Sequence, residues 1–121
     1  MDIISRIETL DKARKDIVKK IEAYNKGFEA TLKDFIKERG LDKTVVRNET
    51  GKEEIGELRI VDSTKRGYKN NPAVPYYIVF HPYRRDGVIS QAHRIDDIVV
   101  NDPSDYFDGI IKRYKPAERG Q

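Results

Sequence analysis

Apolar residues recur at Ile3, Ile7, Leu10, Ile17, Ile21, Tyr24, Phe28, Leu32 and Phe35, in steps that mostly alternate between three and four. Such steps place them on one face of a helix. Glu and Lys fill the opposite face, and no proline occurs before Pro72. Gly40, directly after Lys37-Glu38-Arg39, reads as a C-terminal cap, with cations in the last turn complementing the helix dipole. The weak point is Asn25-Lys26-Gly27, because a glycine inside a helix costs about 1 kcal/mol relative to alanine. The segment therefore reads as one long helix or as a helical hairpin broken near Gly27.

Beyond Gly40 the pattern becomes strand-like. Thr44-Val45-Val46 and the stretch from Ile55 to Val61 flank a turn-forming Asn48-Glu49-Thr50-Gly51, which predicts a hairpin. Asp62 to Pro75 is poor in apolar residues and reads as a long loop. Tyr76 to Tyr83 and Val88 to Ile95 then flank Asp86-Gly87, a dipeptide suited to a two-residue type I′ turn, which predicts a second hairpin. Asp102-Pro103-Ser104-Asp105 supplies an N-cap, a proline at the first helical position and an acid in the first turn. The helix it opens runs through Tyr106, Phe107, Ile110, Ile111 and Tyr114, and Pro116 ends it. The expected fold is a single α+β domain over residues 1–116, with a flexible tail at 117–121. It comprises an N-terminal long helix or helical hairpin, a four-stranded antiparallel sheet of two hairpins and a C-terminal helix.

Composition narrows the function classes. At 121 residues, with 37% hydrophobic and 37% charged, the chain can bury one modest core and is too apolar for global disorder. Asp2, Arg6 and Glu8 interrupt the N-terminus, so neither a signal peptide nor a membrane span is expected, and a cytoplasmic protein is. The absence of cysteine excludes disulfides, thiolate metal sites and a cysteine nucleophile. A formal charge of +3 permits DNA, RNA or another acidic partner without requiring one.

If Asp86-Gly87 is a two-residue turn, Arg85 pairs with Val88 and the faces follow. Tyr76, Ile78, Phe80, Ile89, His93 and Ile95 then share a core-facing side. Tyr77, Val79, His81, Tyr83, Arg85, Ser90, Ala92 and Arg94 share the other. Rings and cations interleaved on one surface suit nucleic acid, where bases stack and guanidinium groups meet phosphates. Two further clusters have the same character, Lys65-Arg66-Gly67-Tyr68-Lys69 and Lys112-Arg113-Tyr114-Lys115. The candidate nucleic-acid-binding residues are therefore Lys65, Arg66, Tyr68, Lys69, Tyr77, His81, Tyr83, Arg85, Arg94, Lys112 and Arg113. The competing explanation is structural: tyrosines edge the core, basic side chains solvate the surface, and cations in a last helical turn complement its dipole.

Catalytic signatures are sparse. The two histidines fall on opposite faces in this register and so do not share a metal ion, and no cofactor is expected. No Gly-rich phosphate loop or nucleophile elbow occurs, and Asp102 and Asp105 are accounted for as helix caps. The leading reading is a non-catalytic nucleic-acid-binding protein. The alternative is a protein-binding regulator or inhibitor of a larger macromolecular complex, acting through its helical region. A second alternative is a metal-independent ribonuclease using His81, Tyr83, Arg85 and Arg94. A continuous first helix of about 38 residues would span roughly 57 Å, longer than a compact domain of this size, which points to a homodimer. Arg14 interrupts the apolar stripe and would fix the register of such a pair or meet an acid across its interface.

Overall fold

The computed structural model describes residues 2–49, 51–63, 65, 71–91 and 102–117. The N-terminal segment is one continuous helix, α1 (Ile3–Glu38), so the long-helix alternative holds and the helical hairpin does not form. Asp2 caps its start, the Ser5 amide donating to Asp2 Oδ1 at 2.7 Å. Its end is a Schellman closure. Gly40 takes φ +70, its N–H donates to Lys37 O, and Leu41 N–H donates to Ile36 O at 2.8 Å. Ile36 and Leu41 are both buried, which is the apolar contact that accompanies this closure. Gly27 does not break the helix, and a Cβ built there meets no atom within 4 Å. Gly27→Ala is therefore expected to raise stability by about 1 kcal/mol, read from the urea midpoint.

The sheet contains β1 (Thr44–Glu49), β2 (Lys52–Asp62), β3 (Tyr76–Pro82) and β4 (Tyr114–Pro116), all antiparallel in the order β3-β2-β1-β4. β1 and β2 form the expected first hairpin, closing at Glu49↔Lys52 with Gly51 at φ +79. β3 returns along the other side of β2 and is an edge strand. Tyr83 N–H donates inward to Ile55 O, so by the two-residue alternation the amides of Ile78 and Phe80 point outward. Pro82 occupies the same outward phase, so its missing donor costs no bond to β2, and its carbonyl accepts from Ser90 N–H at 2.8 Å on that side.

α2 (Pro103–Arg113) begins where its sequence predicts, with Asp102 as N-cap accepting from the Asp105 amide at 3.1 Å. It bridges the sheet. Tyr106 Oη accepts the outward Ile78 amide at 2.7 Å on β3, while the helix also packs on β1 and β4. The helix stops at Arg113, one residue before its expected end, because Tyr114 is extended and opens β4. Lys115 precedes Pro116, which disfavours helical backbone at that position, and both pair with β1. Ala117 N–H still donates to Thr44 O at 3.0 Å, and residues 118–121, the rest of the expected tail, lie outside the described residues.

The second hairpin departs from its expected register. Arg84 N–H donates to Val88 O, Gly87 N–H to Arg84 O, and Tyr83 bridges Ile89. The loop therefore holds three residues, Arg85-Asp86-Gly87, with Gly87 left-handed at φ +81. Asp86 stabilises it by accepting from Val88 N–H at 3.1 Å and from the Arg84 guanidinium at 2.7 Å. This one-residue slip moves Ile89 opposite Tyr83, where the two-residue turn had placed Ser90. The partner strand expected at Val88 to Ile95 is reduced to this bridge over its described part, and residues 92–100 lie outside the described residues.

The core lies between the sheet and the two helices. Phe28, Leu32 and Ile36 of α1 join Tyr106 and Ile110 of α2 and Val45, Ile78, Phe80 and Tyr114 of the sheet. Aromatic contacts link the layers: Phe28 to Phe107 at 5.6 Å, Phe35 to Phe107 at 4.9 Å and Phe80 to Tyr114 at 5.9 Å between ring centroids. Only the C-terminal third of α1 takes part. Every residue from Arg6 to Tyr24 is exposed.

Candidate functional site

Two surfaces compete for a functional role, the basic and aromatic face of β3 and the free length of α1. On β3, Tyr77 and Val79 were expected on the solvated side, yet they are only 8% and 2% exposed. The run Tyr76-Tyr77-Ile78-Val79-Phe80 is continuously apolar, and a strand of that kind is buried on both faces. Tyr77 therefore offers no open ring for stacking.

His81 and Tyr83 do lie on one side of β3, beside Glu57 and Thr44 of the neighbouring strands. Both are half-buried and held by the protein itself. His81 Nδ1 lies 3.2 Å from Ser90 O, and Tyr83 Oη donates to Glu57 Oε2 at 2.7 Å with Thr44 Oγ1 at 3.4 Å. The Thr44 hydroxyl draws the Tyr83 phenol downward, but the bond to Glu57 and desolvation outweigh it and leave the phenol above its ordinary value. The Tyr83 hydroxyl, donating to the Glu57 carboxylate, ties the two strands together.

The remaining described candidates do not converge. Arg85 is exposed in the three-residue loop beyond one end of β3, and Lys65 is exposed beyond β2, near the other end. Six residue steps along β3 separate these ends by roughly 20 Å. Lys112 is exposed and Arg113 half-buried at the end of α2, beside β4 at the opposite edge of the sheet. Three strand spacings separate β3 from β4, roughly 14 Å. The Arg113 guanidinium also reaches back to Gly109 O at 3.5 Å, in keeping with its place in a last helical turn. Arg66, Tyr68, Lys69 and Arg94 lie outside the described residues, as does His93, whose opposition to His81 rested on the two-residue register. Asp102 caps α2 and accepts from Ser104 Oγ at 2.7 Å; these bonds, the Ser104 hydroxyl first, hold its carboxyl below the ordinary range. Among the described residues, no three potential ligands gather into a metal site.

The free length of α1 is the less ordinary surface. Ile3 is 63% exposed, Leu10 68%, Ile17 57% and Ile21 52%, all on the stripe that the spacing places on one face. Ile4 and Val18 widen it from the side. Tyr24 marks its root, where Oη donates to Ala73 O at 2.6 Å and desolvation raises the phenol above its ordinary value. From Ile3 to Tyr24 the arm measures roughly 33 Å at 1.5 Å per residue. Its sequence legibly forms an amphipathic helix; what sequence alone left open was whether the chain's own sheet covers that face. Among the described helices, none is long and apolar enough to cross a membrane, so the stripe is no transmembrane segment.

Comparison with known proteins finds no matching family model, no similar curated protein and no similar solved structure.

Proposed function

We propose that this chain is a non-catalytic protein-interaction module whose contact surface is the exposed apolar face of the α1 arm. The supporting observation is that exposure. Ile3, Leu10 and Ile17 are each more than half accessible on a helix that is properly capped and anchored. Isolated exposed apolar residues are ordinary, but a contiguous stripe of them is the usual mark of a surface that another molecule covers. The dispersed placement of Lys65, Arg85 and Lys112 favours this reading over phosphate binding, which needs cations that act together.

The test compares the wild-type chain with Ile17→Asp as immobilised baits. Ile17 lies outside the core, so the variant should fold normally while losing a partner that wild type retains through a high-salt wash. If both baits instead bind single-stranded DNA or RNA equally, and release it as salt rises, the basic residues carry the function and the arm does not.

A further inference from the structure

We infer that the α1 arm pairs with the same arm of a second copy of this chain, as a parallel two-stranded coiled coil. This inference rests on the arm being the interaction surface and names its occupant. The period of the arm points to a helical partner. Ile3, Ile7, Leu10, Arg14, Ile17, Ile21, Tyr24 and Phe28 follow strictly alternating steps of four and three. That is a heptad with d at Ile3, Leu10, Ile17 and Tyr24, and a at Ile7, Arg14, Ile21 and Phe28. Continuing it selects Thr31, which is exposed, and Phe35, which is half-buried against Phe107, whereas the residues fully buried against the chain's own core are Phe28, Leu32 and Ile36, four apart. The repeat thus changes at the point where α1 meets the sheet. A strict seven-residue repeat suits a helix supercoiled around another helix, and steps of four suit a single helix lying on a globular core.

Charge favours the parallel orientation. In a parallel in-register pair each g residue faces the e residue five positions on in the other chain. Arg6 then meets Asp11 of the second copy, twice by symmetry, and the next such pairs, Ala13 with Val18 and Lys20 with Asn25, contain no like charges. An antiparallel pair centred on the exposed stripe sets Ile7 against Ile17 and Ile3 against Ile21. It relieves the Arg14 self-contact by facing Arg14 with Leu10, but it brings Arg6 against Lys20 twice and Asp11 against its own copy, all repulsive.

The exposed apolar residues of the arm present on the order of 800 Å² per chain, about what each partner contributes to a stable interface. Two-fold pairing covers the same stripe on both copies and leaves no open end. Arg14 is the single charged a position. Two guanidinium groups facing each other weaken the seam, but they escape to solvent more easily from two strands than from three or four, so Arg14 selects the dimer.

Sedimentation velocity over a concentration series tests this on the full-length chain. Wild type should move toward twice the chain mass. Ile17→Asp should remain at one chain mass with an unchanged urea midpoint for the core, and Arg14→Ile should tighten association by about tenfold or more. Since the chain has no cysteine, Leu10→Cys tests orientation, because Leu10 meets its own copy only in the parallel register and should form a disulfide-linked dimer on oxidation. A monomer at every concentration, a trimer, or a Leu10→Cys dimer that does not cross-link would each overturn the inference. If the chain is monomeric yet another protein still needs Ile17 to bind, self-pairing fails and the arm remains a docking surface. If neither occurs, both readings fail.

Discussion

Phe80→Ala is expected to lower stability by about 3 to 5 kcal/mol, the largest loss available at a single core position. Phe80 is fully buried in β3, packed toward the Tyr114 ring 5.9 Å away, and belongs to the cluster that also holds Leu32 and Ile110. Removing it deletes most of a large side chain and leaves a cavity between sheet and helices that the neighbouring strands cannot close without losing their pairing. Urea unfolding should show a lower midpoint with little change in slope. A loss under about 1 kcal/mol would mean that the helices do not pack on this part of the sheet.

The second large effect is expected at Gly56, where the fault is excess volume. Gly56 pairs with Val45 on one side and Pro82 on the other, in the middle of the sheet. A Cβ at Gly56 would collide with the His81 carbonyl oxygen and come within 2.8 Å of Pro82 Cα and 2.9 Å of the His81 carbonyl carbon. These are backbone atoms, so no rotamer change relieves them, and β3 would have to move away from β2. Gly56→Ala should therefore cost about 3 kcal/mol, the upper part of the usual range for overpacking. It should also weaken the Tyr83 tie to Glu57, since that bond spans the same two strands. Unaltered stability in the urea titration would contradict the close approach of β2 and β3.

Local chemistry made some of this architecture readable from the residues, and tertiary context decided the rest. Gly40 and Asp102 were legible because each satisfies helix-end groups through contacts within a few residues. Gly27 was ambiguous because its penalty of about 1 kcal/mol is small beside the backbone hydrogen bonding and core packing of a 36-residue helix. The register near Asp86 was misread because Asp-Gly serves both two- and three-residue loops, and the choice depends on where Tyr83 and Ile89 meet. β4 was hidden for a related reason. Tyr106, Ile110 and Tyr114 keep a helical spacing, and a strand of three residues carries no periodicity of its own; pairing with β1 specifies it.

The candidate site divides in the same way. Basic and aromatic residues were visible along β3 and the end of α2, but their convergence depended on sheet order and burial, which composition does not encode. The burial of Tyr77 was foreshadowed by the unbroken apolar run around it. Conversely, the stripe from Ile3 to Phe35 was plain in the sequence, and only the structure separates its free portion from the part that the sheet covers.

Hydrogen exchange along α1 tests most directly whether the arm is the surface that another chain covers. Amides within residues 28–38 are held by the core, so their protection should be high and independent of protein concentration. Amides within residues 6–24 belong to a helix with no covering of its own, and their protection should rise as the chain, or a captured partner, is added. Equal protection of both parts at every concentration, unchanged by any partner, would contradict an arm built for association.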